Sequence, residues 1–377
     1  MRQRLFFFVR DGSGTEDVFF SALAKTRFYE YTLSAIANHS QLNHRSGESR
    51  KEMSKSMKKR GWIRKIAAFL VVTMTAGAVA GMLCGCNKKG FGSEAEGKVK
   101  VLASIYPVYD FVKRIGGGNV AVTMLVPAGT EPHSWEPSTK DMRMLEEADL
   151  FVYSGAGMEP WAEDVLKGVQ SKKLVTLEAS RKVDLIHLDE EEDGHEHHDG
   201  HDHGEYDPHV WLSPKNAKLE MQAIAEALIS VDPENESIYR GNLATAEKEC
   251  DKLDSDFAER LKEYSGKHIV VAHEAYGYLC REYGLSQIGI EGVSADSEPD
   301  AARMKEIIDL VGEYGIKCIF FEELVDPKVA KTIASETGCR TMALSPLDGL
   351  TQADIDAGRD YFSVMRDNLE ALAGSFE

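Results

Sequence analysis

Short apolar runs alternate with amphipathic segments along most of residues 98–377. The first half contains the apolar runs "KVKVLASI", "VAVTMLV", "LFVYSG" and "KLVTLE", which are separated by helical or loop segments. The second half repeats this alternation with "HIVVAH", "SQIGIEG", "IKCIFFEE" and "TMALS". Strands that alternate with helices are typical of βαβ units, which form parallel sheets. The pattern therefore predicts an α/β fold of two Rossmann-like lobes, each with a mainly parallel sheet.

One long polar segment interrupts this alternation. Residues 233–265 contain no apolar run of strand type, and their few large apolar side chains form a partial helical stripe. The stripe consists of Ile238, Leu243, Leu253, Phe257 and Leu261. At about 1.5 Å per residue, a helix of this extent is roughly 45 Å long and can run along both lobes. We therefore predict an N-terminal lobe over 98–232, a rigid linking helix over 233–265 and a C-terminal lobe over 266–377.

The N-terminal region has the pattern of an export signal. A cluster of Lys and Arg between residues 55 and 65 precedes an apolar run from Ile66 to Leu83, as in a secretory signal peptide. "LCGC" resembles a bacterial lipobox and favours Cys86 as the lipidated residue. We therefore assign 53–86 to a lipoprotein signal peptide, 87–97 to a tether, and 1–52 to an over-extended N-terminus. A retained membrane helix is the alternative, although the glycines of the run disfavour it.

Composition narrows the classes of partner. The formal net charge is −18, and hydrophobic residues make up 43% of the chain. Because the basic residues concentrate before residue 87, the remaining body is more acidic than this total, which argues against a nucleic-acid partner. We expect a monomer. Export would place the cysteines in an oxidising space, so a disulfide between Cys318 and Cys339 is possible but not established by the sequence.

Isolated histidines fall where strands are predicted to end. His133 follows the second strand, His209 follows a histidine-rich segment, and His273 ends the "HIVVAH" strand. Asp348 follows the last strand. Open α/β sheets bind ligands outside the carboxyl ends of their strands, and three imidazoles with one carboxylate suit tetrahedral Zn²⁺. We therefore predict a metal site made of these four residues in the cleft between the lobes.

Three further residues are not expected to bind the metal ion. Glu322 and Glu323 follow the "IKCIFF" strand and are expected to accept hydrogen bonds or cap a helix rather than bind metal. His268 lies at the opposite end of its strand from His273 and serves as an internal comparison with no expected role.

The histidine-rich segment is expected to act separately from the cleft site. Within the predicted loop 187–206, the tract "HEHHDGHDHG" has no apolar side chain to bury and should be disordered without metal. Its histidines are His195, His197, His198, His201 and His203. Neutral imidazoles and neighbouring carboxylates predict a low-affinity collector of Zn²⁺. The alternative is a tolerated low-complexity insertion with incidental affinity.

Several motifs together resemble a known family. "VPAGTEPHSWEPSTKDM", "SGAGMEPW", "DPHVWLSP", "VVAHEAYGYL" and "LSPLDGLT" are similar to motifs in the metal-binding solute-binding proteins of bacterial ABC importers, particularly the zinc branch. The resemblance covers nearly all of residues 98–377. It implies a bilobed fold with a long backbone helix and a cleft that captures Zn²⁺ as a transported ligand for delivery to a permease with its ATPase. Together with the lipobox, this predicts an extracytoplasmic protein that is lipid-anchored to the cell membrane. The matching ligands are His133, His209 and His273, whereas the fourth position, Asp348, varies within the family.

Three alternatives remain open at this point. The closest is a manganese- or iron-binding importer component, which the histidines disfavour. A zinc hydrolase would need a motif such as H-E-x-x-H, and His273-Glu274 has no second histidine at that spacing. A surface adhesin is the third alternative. We expect no enzymatic activity and assign no catalytic residues.

Overall fold

The computed structural model describes residue 91 and residues 95–188, 205–293 and 299–377. The proposed signal peptide, Cys86 and the five loop histidines lie outside these residues, as do most of the predicted tether and all of 1–52.

The N-terminal lobe is built on a four-stranded parallel sheet with the order β2-β1-β3-β4. Its elements are β1 (Val99–Ala103), α1 (Tyr106–Gly116), β2 (Val120–Met124), α2 (Thr139–Glu147), β3 (Leu150–Tyr153), α3 (Ala162–Gly168), β4 (Val175–Glu178) and α4 (Pro214–Val231). Ser138 and Asp141 form a capping box that starts α2, and Ser213 caps α4, with Pro214 as its first residue. Both starts agree with the sequence, because Ser is favoured at the N-cap and Pro at the first helical position.

The C-terminal lobe repeats this design with the strand order β6-β5-β7-β8, again all parallel. Its elements are β5 (His268–Val271), α6 (Gly277–Tyr283), β6 (Ser286–Gly289), α7 (Ala301–Tyr314), β7 (Cys318–Phe321), α8 (Lys328–Thr337), β8 (Arg340–Ala343), α9 (Gln352–Asp356) and α10 (Tyr361–Ser375), and the helix that precedes it is α5 (Glu236–Leu261). The two parallel sheets confirm the predicted α/β class with two lobes.

The long helix α5 packs against both lobes. It contacts α1 and α4 of the N-terminal lobe, and α6 and α10 of the C-terminal lobe. Its 26 residues correspond to about 39 Å. Its buried stripe contains Leu253, Phe257 and Leu261 as expected, but the stripe begins at Tyr239. Including Ile238 in the stripe was wrong: this side chain is 44% exposed, because it lies about 100° around the helix from Tyr239.

Polar contacts also connect the two halves. The guanidinium group of Arg114 in α1 donates hydrogen bonds to Glu249 in α5 (3.1 Å) and to Asp360 at the start of α10 (2.7 Å). The hydroxyl of Tyr361 donates to the backbone oxygen of Trp211 (2.7 Å), and the Trp211 indole donates to the backbone oxygen of Pro346 (2.8 Å). The segment after His209 is therefore held by the C-terminal lobe.

Two open points concern the cysteines and the membrane. Cys318 and Cys339 are free thiols, and each Sγ lies near a backbone oxygen, of Ile319 and Ile316 respectively. The disulfide that the sequence left open is not formed. Within the part of the chain that the structure describes, no helix combines the length and apolar character needed to span a bilayer.

Candidate metal centre

Three histidine side chains from separate loops meet between the lobes. The Nε2 atom of His209 lies 3.2 Å from the Nε2 atom of His133 and 3.2 Å from that of His273. The ligating atoms of these three histidines all lie within 4.8 Å of one another. A tetrahedral Zn²⁺ with Zn–N distances near 2.0–2.1 Å would place pairs of nitrogens about 3.3 Å apart. The observed separations therefore match the edge of a zinc coordination tetrahedron.

Each of the two histidines of the N-terminal lobe follows a short turn, and the two turns are of the same kind. In Glu131-Pro132-His133, the backbone N–H of His133 donates to Glu131 Oε1 at 2.9 Å. In Asp207-Pro208-His209, the backbone N–H of His209 donates to Asp207 Oδ1, also at 2.9 Å. Each acidic side chain closes a short turn around a proline, which cannot donate a backbone hydrogen bond. The repeated acid-Pro-His sequence thus fixes the backbone of both histidines.

Buried carboxylates orient two of the imidazoles from behind. Nδ1 of His209 lies 2.9 Å from Asp207 Oδ1, and Nδ1 of His273 lies 2.6 Å from Glu322 Oε1. In a neutral imidazole, a carboxylate at Nδ1 holds the proton there, which leaves the Nε2 lone pair free to bind an ion. The accessory role expected for Glu322 agrees with this contact. Sequence reasoning did not pair Asp207 with His209, although the two are only two residues apart.

The ionisation of the three imidazoles differs according to their surroundings. Burial lowers the pKa of His133 and of His209 well below the usual range, and the neighbouring histidines lower it further. Burial also lowers the pKa of His273, but the Glu322 carboxylate outweighs this effect and the pKa rises to about 9. Near neutral pH and without a bound ion, His133 and His209 are therefore neutral imidazoles, whereas His273 holds a second ring proton and a positive charge.

Asp348 lies at the edge of this cluster, close to the carboxylate of Glu131. Ligating atoms of Glu131, His133 and Asp348 lie within 4.8 Å of one another. Asp348 is buried, and its Oδ2 atom accepts no hydrogen bond from the residues that the structure describes. Burial and the nearby carboxylates of Glu131 and Glu322 together raise the pKa of Asp348 to about 8. A buried acceptor without a partner is costly, and a cation next to His133 would remove that cost.

His268 and the tryptophans near the motifs lie outside the cluster. His268 begins β5, one strand length from His273, and stacks on Tyr314 with ring centroids 3.8 Å apart. Trp211 packs 5.5 Å from the His209 ring, and Trp135 packs against Trp161.

Comparison with known proteins decides the family. The family described as "ZnuA: Zinc-uptake complex component A periplasmic" matches residues 101–375. This chain belongs to that family. The match includes both lobes and every histidine of the cluster, so the ZnuA family accounts for the whole of the described fold after β1 begins.

Individual ZnuA-family relatives support the same conclusion. The zinc-binding protein AdcA of Streptococcus pyogenes is 44% identical over 288 residues, which are 74% of this chain and 56% of AdcA. This chain therefore spans a little over half the length of that relative. The high-affinity zinc uptake system protein ZnuA of Bacillus subtilis is 38% identical over 296 residues, which are 78% of this chain and 92% of that protein.

A solved structure shows the same architecture. The Zn(II)-bound ZnuA-like domain of Streptococcus pneumoniae AdcA superposes with a TM-score of 0.64 at 37% sequence identity. The superposition covers 74% of this chain and 99% of that domain.

Proposed function

We propose that this protein captures Zn²⁺ between its lobes outside the cytoplasmic membrane and delivers it to an ABC importer. One observation carries the proposal: the Nε2 atom of His209 lies 3.2 Å from the Nε2 atoms of His133 and of His273, which come from both lobes, and this separation matches an edge of a zinc tetrahedron. Membership of the ZnuA family and the zinc-bound state of a structural relative support it.

In this proposal His133, His209 and His273 supply three ligands, and Asp348 supplies the fourth. The orphaned Oδ2 atom of Asp348 favours it for that position. Glu131 also lies close to this fourth position. In this proposal it does not bind the ion and lies at the rim of the site. Four ligands close the coordination sphere, whereas a hydrolytic zinc keeps a position open for water. The arrangement therefore suits capture and release better than hydrolysis.

The direct test is metal analysis of protein purified without added metal. We expect about one tightly held Zn²⁺ per chain, because four protein ligands satisfy a tetrahedral ion. A large excess of Mn²⁺ should not displace it, since Mn²⁺ prefers more oxygen ligands. Full displacement by Mn²⁺ at comparable concentrations would contradict the zinc assignment and favour a manganese importer.

Partners and location follow from the same reading. Delivery requires a membrane permease and an ATPase, and the lipobox at Cys86 would anchor the protein to the cell membrane. The loop containing His195, His197, His198, His201 and His203 would collect Zn²⁺ weakly near the cleft. Support for this separation comes from the ends of the loop, where Leu188 and Glu205 are joined by a backbone hydrogen bond of 3.0 Å.

Because the loop closes on itself at that hydrogen bond, it can be removed without stretching the chain. Replacing residues 189–204 by Gly-Gly creates a two-residue connection of the kind that hairpins favour. We expect titration calorimetry to retain the single tight site and to lose the weaker binding events. Loss of the tight site in this variant, with the fold intact by circular dichroism, would show that the two roles are not separate.

The raised pKa of His273 predicts proton release on binding. With a pKa of about 9, His273 is an imidazolium at pH 7.5, and an ion can bind its Nε2 only after deprotonation. Glu322→Gln removes the charge that raises this pKa, so the variant should release about one proton fewer. Calorimetry in buffers of different ionisation enthalpy measures this number.

The same change should alter the pH dependence in a defined direction. Zinc affinity of the native protein should fall as the pH drops from 9 to 7, because protons then compete with the ion for His273 and for Asp348, whose pKa values are both raised. The affinity of Glu322→Gln should be less dependent on pH over that range. Equal proton release by both proteins would contradict the assigned role of Glu322.

A further inference from the structure

The loop that carries the five histidines is joined to the N-terminal lobe by a narrow neck. We define the neck as residues 186–188 and 205–207. The backbone N–H of Asp207 donates to the oxygen of Ile186 at 3.0 Å, and His187 pairs with Tyr206 in an antiparallel bridge. The neck leads directly to His209, so its position bears on the candidate metal centre.

A tyrosine of the C-terminal lobe holds both sides of the neck. The hydroxyl of Tyr278, in α6, accepts a hydrogen bond from the backbone N–H of Ile186 (3.1 Å) and donates one to the backbone oxygen of Asp207 (2.8 Å). Tyr278 is almost fully buried. One turn further along α6, Arg281 lies over the Tyr278 ring and donates to the backbone oxygen of Asp184. These contacts cross from one lobe to the other.

The start of α6 is also shaped around the Asp207 side chain. A Cβ atom at Gly277 would lie 2.4 Å from Asp207 Oδ2. Any residue other than glycine would therefore displace this carboxylate. The other oxygen, Oδ1, contacts both the backbone nitrogen and Nδ1 of His209 at 2.9 Å. Asp207 is thus fixed by the C-terminal lobe while it orients a histidine of the N-terminal lobe.

We propose that Tyr278 is a positioning residue that couples contact between the lobes to the orientation of His209. When the lobes meet, the Tyr278 hydroxyl fixes the backbone of Asp207, and Asp207 holds His209 with its Nε2 atom toward the ion. Without the Tyr278 hydroxyl, Asp207 loses this anchor on the C-terminal lobe. His209 then becomes a poorer ligand, which speeds release of the ion. This inference rests on the proposed function.

Stopped-flow transfer of Zn²⁺ from the loaded protein to an excess of a strong chelator tests the proposal. Tyr278→Phe removes only the hydroxyl and should accelerate zinc release about 10-fold, the lower end of effects seen when a hydrogen-bond partner of a ligand is disturbed. Tyr283→Phe is the matched control, because it removes a hydroxyl on the same helix that donates to Asp254 (3.0 Å) in α5. The control should release zinc at the native rate, within about 2-fold.

A double-mutant cycle separates positioning from general loosening of the fold. If Tyr278 acts through Asp207, adding Tyr278→Phe to Asp207→Asn should change the release rate by less than about 2-fold. Gly277→Ala provides a second route, since its methyl group displaces Asp207 and leaves the Tyr278 hydroxyl intact. It should also accelerate release.

The outcomes distinguish this proposal from the proposed function. A native protein without a tight zinc site would overturn both. A tight native site whose release rate is unchanged by Tyr278→Phe and by Gly277→Ala would overturn the role of Tyr278 alone. Equal acceleration by Tyr278→Phe and Tyr283→Phe, or full additivity with Asp207→Asn, would also overturn it.

Discussion

Replacing His209 by alanine is expected to weaken Zn²⁺ binding by about 100- to 1,000-fold. A structural zinc site is worth about 10–16 kcal/mol, so each of four ligands contributes about 2.5–4 kcal/mol, which is close to this loss of affinity. His209 is fully buried and its Nε2 atom contacts those of both other histidines. Among the described residues, no further imidazole lies close enough to take its place. Competition against a chromogenic chelator measures the change.

The matched control for this variant is His268→Ala. His268 lies at the far end of β5 from His273 and stacks on Tyr314, so its removal should leave zinc affinity unchanged. Should His209→Ala retain native affinity, or His268→Ala lose it, the tight ion would have to lie somewhere other than the cleft.

Zinc is also expected to raise the thermal stability of the protein by about 10 °C. A ligand at 1,000 times its Kd stabilises the folded state by about 4 kcal/mol, and each kcal/mol shifts the Tm of a protein of this size by about 2–4 °C. The physical reason is that the ion bonds to residues of both lobes. Calorimetric unfolding with and without Zn²⁺ measures the shift, and a chelator should reverse it.

The His209→Ala variant tests the origin of this stabilisation. The shift should nearly vanish in that variant, and Mg²⁺ should not produce it in the native protein, because Mg²⁺ prefers oxygen ligands. An undiminished zinc shift in His209→Ala would mean that the stabilising ion binds elsewhere.

Much of the candidate site could be predicted because histidine is a much rarer residue type in this chain than aspartate and glutamate. Isolated histidines that follow strands are uncommon in this chain, and the parallel sheets bring the ends of their strands to one edge. His133, His209 and His273 could therefore be placed near the cleft. The carboxylates were harder to select, since the chain has 62 acidic residues and most of them are solvated.

Two carboxylates show what signal was available. Glu131 and Asp207 each stand two residues before a predicted ligand with a proline between them, and each closes a turn on the following histidine. The repeated acid-Pro-His pattern could have indicated both. Glu322 was recognised only as an accessory residue, because no local pattern connects it with His273, which lies 49 residues earlier.

The sequence by itself determined the fold class, the two parallel sheets and the long helix, because periodicity, caps and strand length are local properties of the chain. It also singled out the three histidines as candidate ligands. Only the tertiary structure decided that their Nε2 atoms meet, that Glu322 faces Nδ1 of His273, and that Tyr278 joins one lobe to the neck of the other. Those features depend on distances between residues far apart in the chain, which no local pattern specifies.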